Sequence, residues 1–139
     1  MRACTSLLVL FGLLLGSQPL RGAEVTPDQA GPYAFHQFEV ELQDESRNRS
    51  MGLRVLYPSQ GEEVCASPLV VFNHGFLLSS DGYRSYGEHL ASHGFVVALP
   101  TFPTSFLTVH HVKLAEDVRF VIDYLLLANG DQKHLLFGR

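Results

Sequence analysis

The chain has 139 residues and a formal net charge of −4 at pH 7, from 10 basic and 14 acidic residues. This length suggests one domain at most. A mildly acidic composition without a run of basic residues argues against nucleic acid as a partner and against binding to an anionic membrane surface.

The first 23 residues have the pattern of a secretory signal peptide. Arg2 precedes an apolar run over residues 7–15, about half of the roughly 20 residues that span a membrane. We expect secretion or entry into the secretory pathway, with a mature domain of residues 24–139 and no integral membrane span after cleavage. An uncleaved anchor and a bipartite plastid signal are the alternatives. Without residues 1–23 the net charge becomes −6.

Two stretches, residues 38–43 and 51–57, alternate between apolar and polar side chains. A period of two is typical of strands with one buried face. The polar residues 44–50 between them predict an antiparallel hairpin at the edge of a sheet. Asn48 begins an Asn-Arg-Ser sequon in this turn and is a candidate glycosylation site.

Three continuous apolar runs, at residues 69–72, 95–99 and 135–137, predict parallel strands that are buried on both faces. Helical spacing of apolar residues between these runs predicts two helices. Asp81 is the expected N-cap of the first helix and Gly94 its terminating residue. The predicted fold class is α/β: the hairpin, then strand–helix–strand–helix–strand with right-handed crossovers.

The sequence Asn73-His74-Gly75-Phe76 directly follows the first of these buried strands. Open α/β sheets bind ligands at the carboxyl ends of their strands. In acyl-transfer enzymes such a loop supplies a backbone N–H to the oxyanion hole. We expect Phe76 to be this donor beside Gly75, and His74 to support the loop by a hydrogen bond. A plain strand-to-loop turn is the alternative.

Other polar and aromatic groups are assigned no chemistry. His110 and His111 are adjacent on a helix and face different directions, which argues against a metal site, and no cofactor is implied. Charged residues of the second helix are expected on its solvated face: Glu116, Asp117, Arg119 and Asp123. Four aromatic residues are expected to pack in the core or to shape a substrate pocket: Tyr83, Tyr86, Phe102 and Phe106.

Residues 68–78 and 90–100 together resemble the α/β-hydrolase superfamily. His-Gly-Phe-Leu-Leu at 74–78, paired with Ala-Ser-His-Gly-Phe at 91–95, is similar to chlorophyllases. Platelet-activating-factor acetylhydrolases, dienelactone hydrolases and cutinase-like enzymes share other parts of the pattern. The resemblance covers about residues 30–139, the first half of such a domain. It implies a partial α/β-hydrolase fold and a secreted serine hydrolase whose substrate is a small-molecule or lipid carboxylic ester.

The resemblance also implies where the catalytic residues should lie. Gly138 corresponds to the first glycine of the G-x-S-x-G nucleophile elbow, so the serine is expected just after Arg139, with Asp or Glu and His later still. The chain as given is therefore predicted to be an inactive fragment, truncated at the elbow. A non-catalytic interaction module derived from a hydrolase half-domain is the alternative. The ester stays open among chlorophyll, phospholipid acetyl, lactone and polyester substrates.

Overall fold

A computed structural model of the protein describes residues 27–59, 66–75, 78–103, 110–136 and 138. The expected signal peptide, Phe76 and Phe106 lie outside these residues. The elements in chain order are β1 (Phe35–Asp44), β2 (Arg49–Pro58), β3 (Leu69–Val71), a 3₁₀ turn (Ser80–Tyr83), α1 (Arg84–Ser92), β4 (Val96–Thr101) and α2 (His111–Gly130).

The two alternating stretches form the predicted antiparallel hairpin. β1 and β2 pair in a continuous register from Phe35 opposite Pro58 to Asp44 opposite Arg49. Asn48 closes the turn with a φ of 49°, a left-handed conformation that Asn adopts more readily than most residues. The turn between the two strands therefore lies within the polar stretch, residues 44–50, from which the hairpin was predicted.

The four described strands form one mixed sheet in the order β1-β2-β4-β3. β4 lies between antiparallel β2 and parallel β3, and its residues 96–100 are all buried. β3 is the edge strand, and Leu69 is 38% exposed. The prediction of a strand buried on both faces is confirmed for β4 and wrong for β3, because an edge strand has a neighbour on one side only.

The third predicted parallel strand is not formed by Leu135 and Leu136, which lie in turns after α2. The His134 N–H donates to the Asp131 carbonyl at 2.9 Å, and the Gly138 N–H donates to the Asn129 carbonyl at 3.2 Å. These amides pair with carbonyls at the end of the helix, where partners are otherwise lacking, rather than with an edge of the sheet. Phe137 lies outside the described residues.

The two helices pack on opposite faces of the sheet. α2 contributes Val121, Leu125 and Ala128 to one core with the β2 residues Met51, Leu53 and Val55. α1 contributes Ala91 to a second core with Leu56, Val97 and Leu99. This three-layer arrangement confirms the α/β class and places the loop after β3 at the carboxyl end of two parallel strands. Neither described helix meets the length and hydropathy needed to cross a bilayer.

The ends of α1 agree only in part with the predicted caps. Gly94 has a φ of +96° and its N–H donates to the Ala91 carbonyl at 3.0 Å, which confirms it as the terminating residue. Asp81 lies inside the 3₁₀ turn and does not cap it. Its carboxylate is 2.9 Å from Nη2 of Arg54. The predicted N-cap is wrong because a 3₁₀ turn over Ser80–Tyr83 precedes α1, so that Tyr83 is the residue at the N-cap position.

Candidate functional site

His74 connects the loop after β3 to the residue that follows β4. The backbone N–H of Phe102 donates to His74 Nε2 at 3.2 Å. Nε2 must therefore accept, so in the neutral ring Nδ1 carries the proton and donates to the Gly75 carbonyl at 2.9 Å. The loop is fixed at the carboxyl end of β3, the edge where open α/β sheets bind ligands.

Gly75 is held from a second direction by Tyr83. The Gly75 N–H donates to the Tyr83 hydroxyl at 3.2 Å, and the Leu78 N–H donates to the Gly75 carbonyl at 3.1 Å. A Cβ at position 75 would lie 3.2 Å from both Tyr83 Oη and a Leu78 methyl carbon, so this approach favours glycine. This role of Tyr83 was not predicted from the sequence, where its one signal is its position shortly after the glycine loop.

The aromatic side chains named in the sequence analysis divide between core and surface. Phe102 is 6% exposed, and its ring centroid is 5.8 Å from that of His74. Tyr86 is 58% exposed and stacks on Phe72 with centroids 5.7 Å apart and planes at 18°. Tyr83 contacts the same Phe72 ring at 5.2 Å. A small aromatic cluster therefore lies beside the loop, with one member open to solvent.

Two serines, Ser79 and Ser80, lie near the loop, and neither is placed as a nucleophile. Ser80 is 8% exposed, and its hydroxyl accepts a hydrogen bond from Thr101 Oγ1 at 2.7 Å. Ser79 is exposed and its side chain makes no capping bond. Gly138 has a φ of +69° at the end of the turn that follows α2, and its assignment as the start of a nucleophile elbow stays a prediction.

Asp117 is buried, contrary to the expectation of a solvated helix face. Its side chain has no exposed surface. Arg49 Nε donates to its Oδ1 at 2.8 Å and Arg49 Nη2 donates to Oδ2, while Arg47 Nη1 also reaches Oδ1 at 2.8 Å. The prediction was wrong because both arginines come from the β1–β2 hairpin, far away in sequence. Arg119 and Asp123, 84% and 59% exposed, do lie on a solvated face as expected.

The same hairpin turn holds a second buried carboxylate, Asp44. The hydrogen bond from the Ser46 hydroxyl lowers the pKa of Asp44, burial opposes this shift, and the Arg47 guanidinium lowers the pKa further. Arg47 therefore lies between Asp44 and Asp117. With every carboxylate oxygen of Asp117 already bonded to a guanidinium, this cluster is organised to join the hairpin to α2 rather than to move protons.

Within the described part of the chain, no group of three or more His, Cys, Asp or Glu side chains is placed to hold a metal ion. His110 immediately precedes α2 and His111 is its first residue.

Comparison with known proteins identifies a matching family and a similar solved structure. The family model described as Chlorophyllase matches residues 24–135. No curated protein matches the chain. A solved structure, a ferulic acid esterase from Streptomyces cinnamoneus, is similar with 22% identity and a TM-score of 0.48, over 71% of this chain and 48% of that one. The chain therefore spans about half the length of that esterase.

Proposed function

The chain belongs to the chlorophyllase family, and we propose that it forms the oxyanion-binding half of a domain that hydrolyses carboxylic esters. The observation that carries the proposal is the His74 bridge, which fixes the loop after β3 against Phe102 after the neighbouring parallel β4. The carboxyl ends of two parallel strands thus meet at one edge, with a glycine loop held between them. Preorganised donors at such an edge are what acyl transfer requires.

The proposed reaction follows the serine hydrolase scheme. A serine oxygen attacks the ester carbonyl carbon while a histidine takes the serine proton. The electron pair of the C=O bond moves to the oxygen, and the backbone N–H of Phe76 donates to that oxyanion. The tetrahedral intermediate collapses as the alcohol leaves with the proton from histidine, and water then releases the acid. The serine and histidine are proposed to follow Arg139 in a longer reading frame.

Tyr83 and His74 are proposed as positioning residues for this step. The Tyr83 hydroxyl accepts the Gly75 N–H and His74 donates to the Gly75 carbonyl, so both backbone groups of that glycine are fixed. The partly exposed Tyr86 ring beside this loop is proposed to contact the acyl or alcohol part of the ester.

The test is an extended protein that continues in frame beyond Arg139. We expect a serine as the next residue, labelling by a fluorophosphonate probe, and turnover of one member of an ester panel that includes chlorophyll, phospholipid acetyl, lactone and polyester substrates. The chain ending at Arg139 should remain unlabelled. Stoichiometric labelling of that shorter chain, or a verified stop codon after Arg139, would contradict the proposal, and the stop codon would favour an interaction module.

A matched pair of variants at residue 76 tests the oxyanion donor in the extended protein. Phe76→Pro removes the backbone N–H and should lower kcat by roughly 10²–10³, the usual effect of losing one such donor. Phe76→Ala keeps the N–H and should retain most of kcat. Equal activity in the two variants would exclude Phe76 as the donor.

We also propose that the protein enters a secretory pathway and carries a glycan at Asn48. The asparagine is exposed in the hairpin turn, and glycans are attached at surface sites of this kind. Expression in a eukaryotic secretory host should give a product whose gel mobility rises after glycosidase treatment. Asn48→Gln should migrate like the treated protein, and an Asn48→Gln product that still shifts would place the glycan elsewhere.

A further inference from the structure

Two histidines that no part of the proposed hydrolase uses lie together at the carboxyl end of α1. His89 is in the last turn and His93 directly follows the helix. Their spacing of four residues places both side chains on one helix face. The imidazole centroids are 4.7 Å apart with an interplanar angle of 59°, and both residues are half-buried and so open to solvent on one side.

The hydrogen bond of His93 determines which of its nitrogens is free. Nε2 is 3.0 Å from the Gln29 carbonyl oxygen, which can only accept, so Nε2 carries the proton and Nδ1 has the free lone pair. Metal-binding histidines are commonly oriented by such a bond to a carbonyl. The segment that provides this carbonyl is itself fixed, because Gly31 N–H donates to Ser92 Oγ at 2.8 Å and Tyr33 N–H donates to the Ser92 carbonyl at 3.0 Å.

The surroundings also favour a cation. The last carbonyls of α1 give the carboxyl end of the helix a partial negative charge. Imidazole is a preferred ligand of zinc, copper and nickel, whereas magnesium and calcium prefer oxygen. We propose that His89 and His93 bind one divalent ion of a metal that prefers imidazole ligands, such as Zn²⁺. With no third protein side chain assigned among the described residues, water completes the coordination.

Metal binding at this site should stabilise the docking of residues 29–33 on α1. His93 would bind the ion through Nδ1 while Nε2 holds the Gln29 carbonyl. An ion that binds only the folded chain raises its stability by mass action. The site does not depend on the proposed ester hydrolysis, because neither histidine belongs to the loop after β3.

The test is a calorimetric titration of untagged protein with Zn²⁺, compared with His89→Ala, His93→Ala and a His110→Ala, His111→Ala double variant. We expect one Zn²⁺ per chain and a Kd that rises at least about tenfold in either single variant. The double variant, which removes two histidines elsewhere, should bind like the parent protein. Mg²⁺ should give no binding heat.

Two further measurements keep the test decisive. If an alanine variant loses its fold, His89→Gln keeps a polar side chain of similar size without an imidazole, and weaker Zn²⁺ binding at an unchanged melting temperature supports the site. Nitrogen NMR of His93 should show Zn²⁺ on Nδ1 and a retained proton on Nε2. Parent-like affinity in a folded His89 variant, equal loss in the double variant, or zinc on Nε2 would overturn the proposal.

Discussion

Arg49 in β2 and Asp117 in α2 are 68 residues apart in sequence, and the guanidinium of Arg49 donates from Nε and Nη2 to the two carboxylate oxygens of Asp117. A second guanidinium, from Arg47, reaches the same carboxylate at 2.8 Å. Removing a carboxylate from water is costly unless charge and hydrogen bonds replace its hydration. This pairing therefore joins the hairpin to α2, in addition to the hydrophobic core that the two elements share.

We predict that Asp117→Asn lowers the free energy of unfolding by about 3 kcal/mol, because it leaves the partly buried Arg49 guanidinium without a carboxylate. Arg47 would keep its pairs with Asp44 and Glu116. Urea unfolding monitored by circular dichroism measures this change. Asp123→Asn is the control, because the Asp123 side chain is 59% exposed and its Oδ2 is 3.7 Å from Arg119 Nε. We expect this variant to change the free energy of unfolding by less than about 0.5 kcal/mol. Equal effects of the two variants would show that the buried cluster is not stabilising.

We predict that part of the acid sensitivity of the protein comes from Asp44. The Ser46 hydroxyl bond, followed by Arg47, lowers its pKa from an ordinary value of 3.8. The folded state thus binds fewer protons than the unfolded state at low pH, so this stabilisation is present above about pH 5 and is lost as the pH falls below about 4. Ser46→Ala should reduce the difference in unfolding free energy between pH 6 and pH 3.

The control for this experiment is Ser79→Ala, which removes an exposed hydroxyl that makes no capping bond and should leave the pH profile unchanged. A Ser46→Ala profile parallel to that of the parent protein would mean that the hydroxyl does not hold the carboxylate.

We predict that His74→Ala loosens the loop after β3. The variant leaves the Phe102 N–H without its acceptor at 3.2 Å, and a lost hydrogen bond of this kind costs about 1 kcal/mol. Hydrogen exchange of the Phe102 amide should therefore become roughly five- to tenfold faster. His36→Ala removes an exposed histidine that bonds Ser59 and should not affect this amide. An unchanged Phe102 exchange rate in His74→Ala would refute the bridge.

We predict that Gly31→Ala detaches the segment before β1 from α1. A Cβ at residue 31 would lie 2.1 Å from the Ser92 carbonyl oxygen, and a backbone atom cannot move aside without disturbing the helix. We expect a loss of about 1–3 kcal/mol in unfolding free energy and faster amide exchange at Tyr33. Gly82→Ala, where a Cβ would meet nothing within 4 Å, should be neutral or stabilising by up to about 1 kcal/mol. Similar losses in both variants would exclude the steric explanation.

The candidate site was predictable in outline but not in its contacts. The glycine loop after an apolar strand marked His74 and Gly75 from the sequence, because residue type and position after a strand are local properties. The hydrogen bonds to Phe102 and Tyr83 depend on how β4 and the 3₁₀ turn pack beside the loop. Sequence spacing does not specify that packing.

Several elements were predictable from the sequence because their signal is local: the alternating hairpin of β1 and β2, the apolar run that forms most of β4, and the termination of α1 shortly before Gly94. The other features depend on contacts that form only in the folded chain. β3 is partly exposed because the strand order leaves it at the edge of the described sheet, and Leu135 and Leu136 lie in turns because nearby amides bond the end of α2. Asp117 is buried because two arginines from a distant hairpin neutralise it. Hydrophobic periodicity is read along the chain, whereas the desolvation of a charge depends on partners that only folding brings together.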